Sequence, residues 1–208
     1  ATGLFGYSDY PAMDDLARQG GLSVIDLNEV VDIRRKQIIV AYIARKLFNM
    51  RRNGIIPPFT LIIEEAHQFV PEQAKKEIAV SRGIIQTIAR EGRKFLASLC
   101  LISQRPIQLA TTALSQCNTH IILRITNPYD LDHIGESSEG LTRDVLRQIS
   151  SLPVGTGIIV GEAVNAPLFE KFRGRESKEP ETGLNMETAA QEFHKRIAQK
   201  KKDTKAFM

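Results

Sequence analysis

No run of apolar residues in this chain approaches the roughly 20 that a membrane-spanning helix requires. The N-terminal residues also lack the basic segment followed by an apolar stretch that marks an export signal. A membrane protein is therefore excluded from the expectations, and the chain reads as soluble and cytoplasmic. Cysteine is scarce: Cys100 and Cys117 are the only two, with no CxxC or Cys/His ligand spacing, which excludes a disulfide framework and a structural zinc site. Both read as buried free thiols. No internal repeat is visible, so a solenoid is excluded as well.

What is present is ordinary globular material. The 208 residues are 42% hydrophobic and 25% charged, enough for one well-cored domain with appendages. The net charge of +4 suggests a nucleic-acid partner until its location is traced. Between His194 and Met208 six bases (Lys195, Arg196, Lys200, Lys201, Lys202, Lys205) face the single acid Asp203, and this tail accounts for the whole excess. Such a tail reads as a solvated end, with nonspecific phosphate contact as the alternative.

Alternating patterns divide the rest. Residues 1–21 are rich in Gly, Asp and Pro and predict a loop with one short helix near Met13–Arg18. Leu22–Leu27 reads as a strand, and Val30–Arg52 as a helix with Ile39, Ile43, Leu47 and Met50 on one stripe, closed by Asn53-Gly54. Behind Pro57-Pro58, Leu61-Ile62-Ile63 reads as a strand buried on both faces. A helix over Gln73–Glu91 and a strand over Ala97–Ile102 follow. Beyond them come a short helix near Ile107–Leu114 and a strand at His120–Ile125. Two short helices are expected around Tyr129–Ile134 and Leu141–Gln148, then strands at Thr156–Gly161 and Pro167–Phe172, possible partners in a hairpin. A linker with Pro180 and Gly183 leads to a last helix, about Asn185–Lys200. Strands alternating with helices predict an α/β domain with a mainly parallel sheet flanked by helices.

The chemistry-bearing residues sit at the ends of these elements. Glu64-Glu65 close an apolar strand, at the sheet edge where open α/β folds bind ligands. Adjacent strand residues point to opposite sides. One acid is thus able to hold Mg²⁺ through water while the other polarises an attacking water. A helix-initiating acidic turn is the bland alternative. Ser103-Gln104 end the next strand, placing an amide beside the carboxylates if the strands are parallel neighbours. Arg90-Glu91-Gly92-Arg93-Lys94 ends the helix between them. It reads either as complementing the helix dipole or as presenting an arginine finger to phosphate oxygens. His67 reads as packing or capping the following helix rather than catalysing, and Arg124 as a salt-bridge partner, with an inter-subunit or nucleotide role as its alternative.

Taken together, Leu61-Ile62-Ile63-Glu64-Glu65-Ala66-His67-Gln68-Phe69-Val70-Pro71, Ile88-Ala89-Arg90-Glu91-Gly92-Arg93-Lys94 and Ile102-Ser103-Gln104-Arg105-Pro106 resemble the HerA-type ATPases of archaea, in the FtsK/HerA group of hexameric DNA motors. The stretch Leu152–Ala163 with Ala166-Pro167 is similar to that family's closing strands, so the resemblance spans roughly Leu22 to Arg173. It implies a RecA-like P-loop NTPase core and the cofactors ATP and Mg²⁺. It also implies the catalytic Walker B glutamate at Glu65, the metal-orienting acid at Glu64 and the γ-phosphate sensor at Gln104. The trans-acting arginine finger falls at Arg90, assisted by Arg93. Double-stranded DNA, a homo-hexamer and a NurA-type nuclease are the partners it implies, in DNA end resection and repair.

One family motif is missing: no GxxxxGK[ST] and no Gly-Lys pair occur anywhere in the chain. The backbone cradle, the lysine and the Ser/Thr metal ligand of a phosphate loop are therefore absent from these residues. The expectation is a C-terminal fragment, inactive alone, of a longer ATPase. Residues 1–21 are then the remnant of a helical insertion, 22–175 the core and 176–208 a linker, helix and basic tail. The competing expectations are a catalytically silent module that binds DNA or a partner, and a conjugation or chromosome pump of the same group.

Overall fold

The computed structural model describes residues 12–72, 79–138 and 140–178. Residues 1–172 form one compact unit, and residues 173–208 a second in which Arg173 pairs with Glu176. The expected final helix and most of the basic tail lie outside the described residues.

In the first unit, α1 is a single turn, Met13–Leu16, and α2 runs over Ile33–Arg52. Asp32 starts α2 by accepting from the Arg34 backbone N–H at 2.8 Å, which satisfies one of the orphan donors of the first turn. Asn53-Gly54 ends it, with Gly54 at φ +72. The face that α2 buries is Gln37, Ala41, Ala44, Leu47 and Phe48, rotated from the expected Ile39–Met50 stripe. Small alanines let the helix approach its neighbours closely. Ile43 and Met50 pack instead with Ala17, Leu47 and Ile56 in a small satellite cluster.

Strand β1 (Phe59–Ile63) pairs in parallel with β2 (Ala97–Leu101), Phe59 facing Ala97 and Ile63 facing Leu101. They are joined by a 3₁₀ turn at Ala66–Gln68 and by α3, Arg82–Glu91; residues 73–78 of the expected helix are outside the described residues. Then α4, Thr111–Leu114, is started by Glu72. The Glu72 carboxylate accepts from the Thr111 N–H at 2.7 Å and from the Thr111 hydroxyl at 2.9 Å. Phe48, Ile63, Ile84, Ile85, Ile88, Val70 and Ala110 form the centre of one core under this pair. Each large aliphatic or aromatic side chain buried there contributes about 1.5–3 kcal/mol.

The second region is antiparallel. Strand β3 (Thr119–Leu123) is followed by α5 (Pro128–Ser137) and α6 (Arg143–Ser150), then by β4 (Thr156–Gly161) and β5 (Leu168–Lys171). The order is β3-β4-β5, with Ile122 opposite Ile158 and Ile158 opposite Phe169. The expected closing hairpin is therefore present. Ile122, Ile134, Ile149, Leu152, Ile158 and Val160 make a separate core.

Further expectations need correction. Residues 22–27 are not a strand. They find no backbone ladder among the described residues, and Asp26 turns the chain by accepting from the Asn28 N–H at 2.9 Å. Leu22 and Val24 are 84% and 82% exposed, and the segment borders a groove of about 1310 Å³ against α2 and β1. Nor is β1 buried on both faces. Phe59, Leu61 and Ile63 meet the helices, whereas Thr60 and Ile62, with Ser98 and Cys100 of β2, are exposed. For the same reason Cys100 is an exposed thiol rather than a buried one, and Cys117 is half-buried, its thiol donating to the Ala113 carbonyl. Among the described residues no helix is long and apolar enough to cross a membrane.

Candidate nucleotide site

Parallel pairing brings two of the sequence-marked strand ends side by side. Beyond the last pair, Ile63 to Leu101, the Ile102 N–H donates to the Ile63 carbonyl and the Ala66 N–H donates to the Ile102 carbonyl, both at 2.9 Å. Glu64-Glu65 and Ser103-Gln104 therefore leave the same edge of the sheet, tied together by backbone hydrogen bonds. Glu64 and Gln104 are exposed, and Glu65 is partly so.

Glu65 is held in the left-handed region, φ 49 and ψ 43. A residue with a Cβ pays about 1 kcal/mol or more for that conformation. It lets the chain leave the strand abruptly and enter the 3₁₀ turn, whose buried Ala66 anchors into the core. His67 is packed rather than capping a helix, one of the two expected roles. Its Nδ1 reaches across to the neighbouring strand end, 3.0 Å from Ser103 Oγ, and lies 3.4 Å from Glu65 Oε2. The ring is 11% exposed and the Glu65 side chain 44%. Ser103 also accepts from the Arg105 N–H at 3.1 Å. The sequence marked His67 and Ser103 only as neighbours of the acid and the amide. The bond between them depends on register, which local sequence does not carry.

Arg90 and Arg93 are elsewhere. Because α3 runs back along the sheet, its last turn meets the start of β2: a Cβ on Gly92 would collide with the Ala97 carbonyl. The Phe59 N–H likewise donates to Leu96 at that end. The five residues of β2 rise about 16 Å, so the arginines occupy the sheet edge opposite the carboxylates. Both are exposed and make no ion pair among the described residues. Their neighbours are used structurally: the Arg51 guanidinium donates to the Phe95 and Ile56 carbonyls at 2.7 and 2.9 Å, and Arg52 stacks on Phe95. Arg124, expected in a salt bridge, is exposed at the end of β3 with no ion pair among the described residues. No group of three or more metal-ligating side chains occurs among the described residues. Any divalent ion here would rest on one or two carboxylates, water and ligand oxygens, a donor set that suits Mg²⁺.

No family model matches the chain. The fold is that of P-loop NTPases. The genome-packaging NTPase B204 of Sulfolobus turreted icosahedral virus 2 matches with a TM-score of 0.58 at 16% identity, over 81% of this chain and 74% of that one. VirB4 of Thermoanaerobacter pseudethanolicus matches with a TM-score of 0.56 at 16% identity, over 74% and 41%.

Within that class the sequence is similar to HerA-type helicases, as the motifs implied. It is 36% identical over 167 residues to the DNA double-strand break repair helicase HerA of Saccharolobus solfataricus, covering 77% of this chain and 33% of the relative. It is 42% identical over 124 residues to HerA of Pyrococcus furiosus, covering 57% and 22%. A probable helicase of Methanocaldococcus jannaschii is 36% identical over 176 residues, covering 80% and 33%. The chain thus spans about a third of the length of the first curated relatives it matches.

Proposed function

We propose that this chain supplies the water-activating and trans-acting parts of the ATP site in a longer, ring-forming, DNA-translocating ATPase that acts in double-strand break repair. The observation that carries the reading is the division of polar groups between two sheet edges. Carboxylates and an amide stand together at one edge, and two exposed arginines without an ion pair among the described residues stand at the other. A nucleotide bound at the carboxylate edge is out of reach of its own Arg90. It is within reach of the arginine edge of a neighbouring subunit, and this is the arrangement a ring provides.

At such a site Glu65 accepts a hydrogen bond from the attacking water and orients it, and Glu64 would hold Mg²⁺. Gln104 donates its amide to a γ-phosphate oxygen. Arg90 of the next subunit, with Arg93 beside it, spreads positive charge over the phosphoryl group as it transfers. Magnesium, when bound, neutralises charge on the phosphate oxygens. The phosphate grip is assigned to residues outside this chain, since no Gly-Lys pair occurs within it. Duplex DNA is the substrate surface, and a resection nuclease of the NurA type is the partner. The similarity to double-strand break repair helicases supports the first assignment; the second rests on the family resemblance of the motifs.

A phosphate-release assay tests this directly. The 208-residue chain is expected to show no turnover. In the longer protein, Glu65→Gln should retain ATP while lowering turnover about 10³-fold, within the range for loss of a positioned proton acceptor. Turnover by the isolated chain, or an undiminished rate for Glu65→Gln, overturns the assignment.

A further inference from the structure

We infer that His67 is a positioning residue that links the Glu65 carboxylate to the Ser103-Gln104 strand end; the role rests on the ATPase reading above. Its Nδ1 faces two oxygens at once, Ser103 Oγ at 3.0 Å and Glu65 Oε2 at 3.4 Å. A neutral imidazole with its proton on Nε2 would turn the Nδ1 lone pair toward a carboxylate oxygen, which is repulsive. A proton on Nδ1 makes both contacts attractive and fixes the tautomer.

That tautomer has a consequence for Ser103. With His67 Nδ1–H donating to it and the Arg105 N–H donating at 3.1 Å, the hydroxyl has both lone pairs occupied. Its own O–H is then left to donate, immediately before Gln104. His67 thereby orients two groups on neighbouring strands, one that accepts from water and one that donates toward an anion. The burial is asymmetric in the sense this requires: the imidazole is 11% exposed and the Glu65 side chain 44%, so the histidine is the fixed member and the carboxylate the accessible one. The left-handed backbone at Glu65 brings residues 65 and 67 to the same side of the turn. The 3.4 Å separation is longer than a tight hydrogen bond, as pairs of this kind are before the substrate is in place.

The link is testable without turnover. In ¹⁵N-edited spectra of the 208-residue chain at alkaline pH, His67 should be in the Nδ1–H form, and Glu65→Ala should raise the Nε2–H population. An Nε2–H ring in the parent chain, or a tautomer unchanged by both Glu65→Ala and Ser103→Ala, overturns the inference. In the longer protein, His67→Phe keeps a buried ring without the donor and should lower kcat about tenfold at unchanged KM for ATP. His67→Asn places its side-chain N–H near the Nδ1 position and should recover most of the rate. Full kcat in His67→Phe, or no recovery in His67→Asn, assigns the residue to packing alone. Absence of turnover in the parent longer protein refutes the ATPase reading, and the tautomer then decides the link by itself.

Discussion

The two cores of the first unit use their polar residues differently. Around β3, β4 and β5 most buried or half-buried polar groups are consumed by structure, the Ser138 hydroxyl being an exception. Asp130 accepts from the Ile107 N–H and the Asn127 amide, His133 bonds the Leu109 carbonyl, and Ser137 donates to the His133 carbonyl. Around β1 and β2 the side chains at both strand ends remain directed outward: Glu64, Glu65 and Gln104 at one edge, Arg90 and Arg93 at the other. A parallel pair returns its chain through a helix, so each of its two edges collects the termini of different elements. In the antiparallel region β4 turns directly into β5, and the helices between β3 and β4 spend their polar groups on the bonds just described. In the proposed reading the parallel region carries the chemistry, and the antiparallel region supplies the second core.

The strongest way to break this comparison is to separate the two edges onto different subunits. Arg90→Ala in the longer protein should lose at least about 10³-fold in turnover, the range for an arginine finger. Co-expressing it with Glu65→Gln rebuilds an intact interface wherever the Glu65 of one protomer meets the Arg90 of the other. Phosphate release from the mixed oligomer should rise well above either parent. Activity no higher than the parents would place both residues in one protomer's site, against the opposed edges seen here.

Next in size is a packing contrast between the regions. In Gly92→Ala the added Cβ meets the Ala97 backbone carbonyl, which has no room to move, and the expected loss is about 3 kcal/mol in a urea unfolding curve. In Gly135→Ala the nearest atom is Leu146 Cδ1, at 2.8 Å, the end of a flexible side chain, and the expected loss is about 1 kcal/mol. Equal losses would remove the case that the α3–β2 corner is the more rigid of the two.

A smaller effect of opposite sign separates catalysis from folding. Glu65 and Leu96 are the two non-glycine residues described at positive φ, one at each end of the parallel pair. Replacing either with glycine should stabilise the chain by about 1 kcal/mol, since the left-handed penalty disappears. At Leu96 the gain should come with unchanged turnover in the longer protein, and at Glu65 with its loss. A destabilised Glu65→Gly would show that the side chain's contacts outweigh the backbone strain.

Much of this was legible from residues alone. Glu64-Glu65, Gln104 and the Arg90 cluster were marked by sitting at the ends of apolar runs, and the β4–β5 hairpin was marked by two short Ile/Val/Phe-rich segments. Leu22-Ser23-Val24-Ile25-Asp26-Leu27 has strand composition but finds no ladder among the described residues. A strand is defined by its ladder, and composition does not supply a partner. The buried face of α2 departs from its hydropathy stripe because hydropathy favours Ile over Ala, whereas close helix packing favours Ala. The His67–Ser103 bond joins residues 36 apart in sequence, and only the β1–β2 register brings them together.

The smallest expected effect tests whether the second region also holds a titratable group with a structural cost. His120 on β3, opposite Val160, has its pKa lowered by burial, an effect only partly offset by its hydrogen bond with the Cys117 backbone. In the unfolded chain an imidazole takes up its proton near pH 6.5. Below that point the unfolded state binds more protons at this site than the folded one, so stability falls as pH drops from about 6.5 to the lowered folded value. Above about 6.5 both states are neutral and the site contributes no pH dependence. His120→Gln removes the titration without adding a charge. Urea midpoints of the parent and the variant should therefore differ by a constant above pH 7, and the parent should lose ground as the pH falls toward 5. Parallel curves across that window would mean that the β3 imidazole takes up its proton in the folded chain as readily as in water, and that burial in this core carries no electrostatic cost.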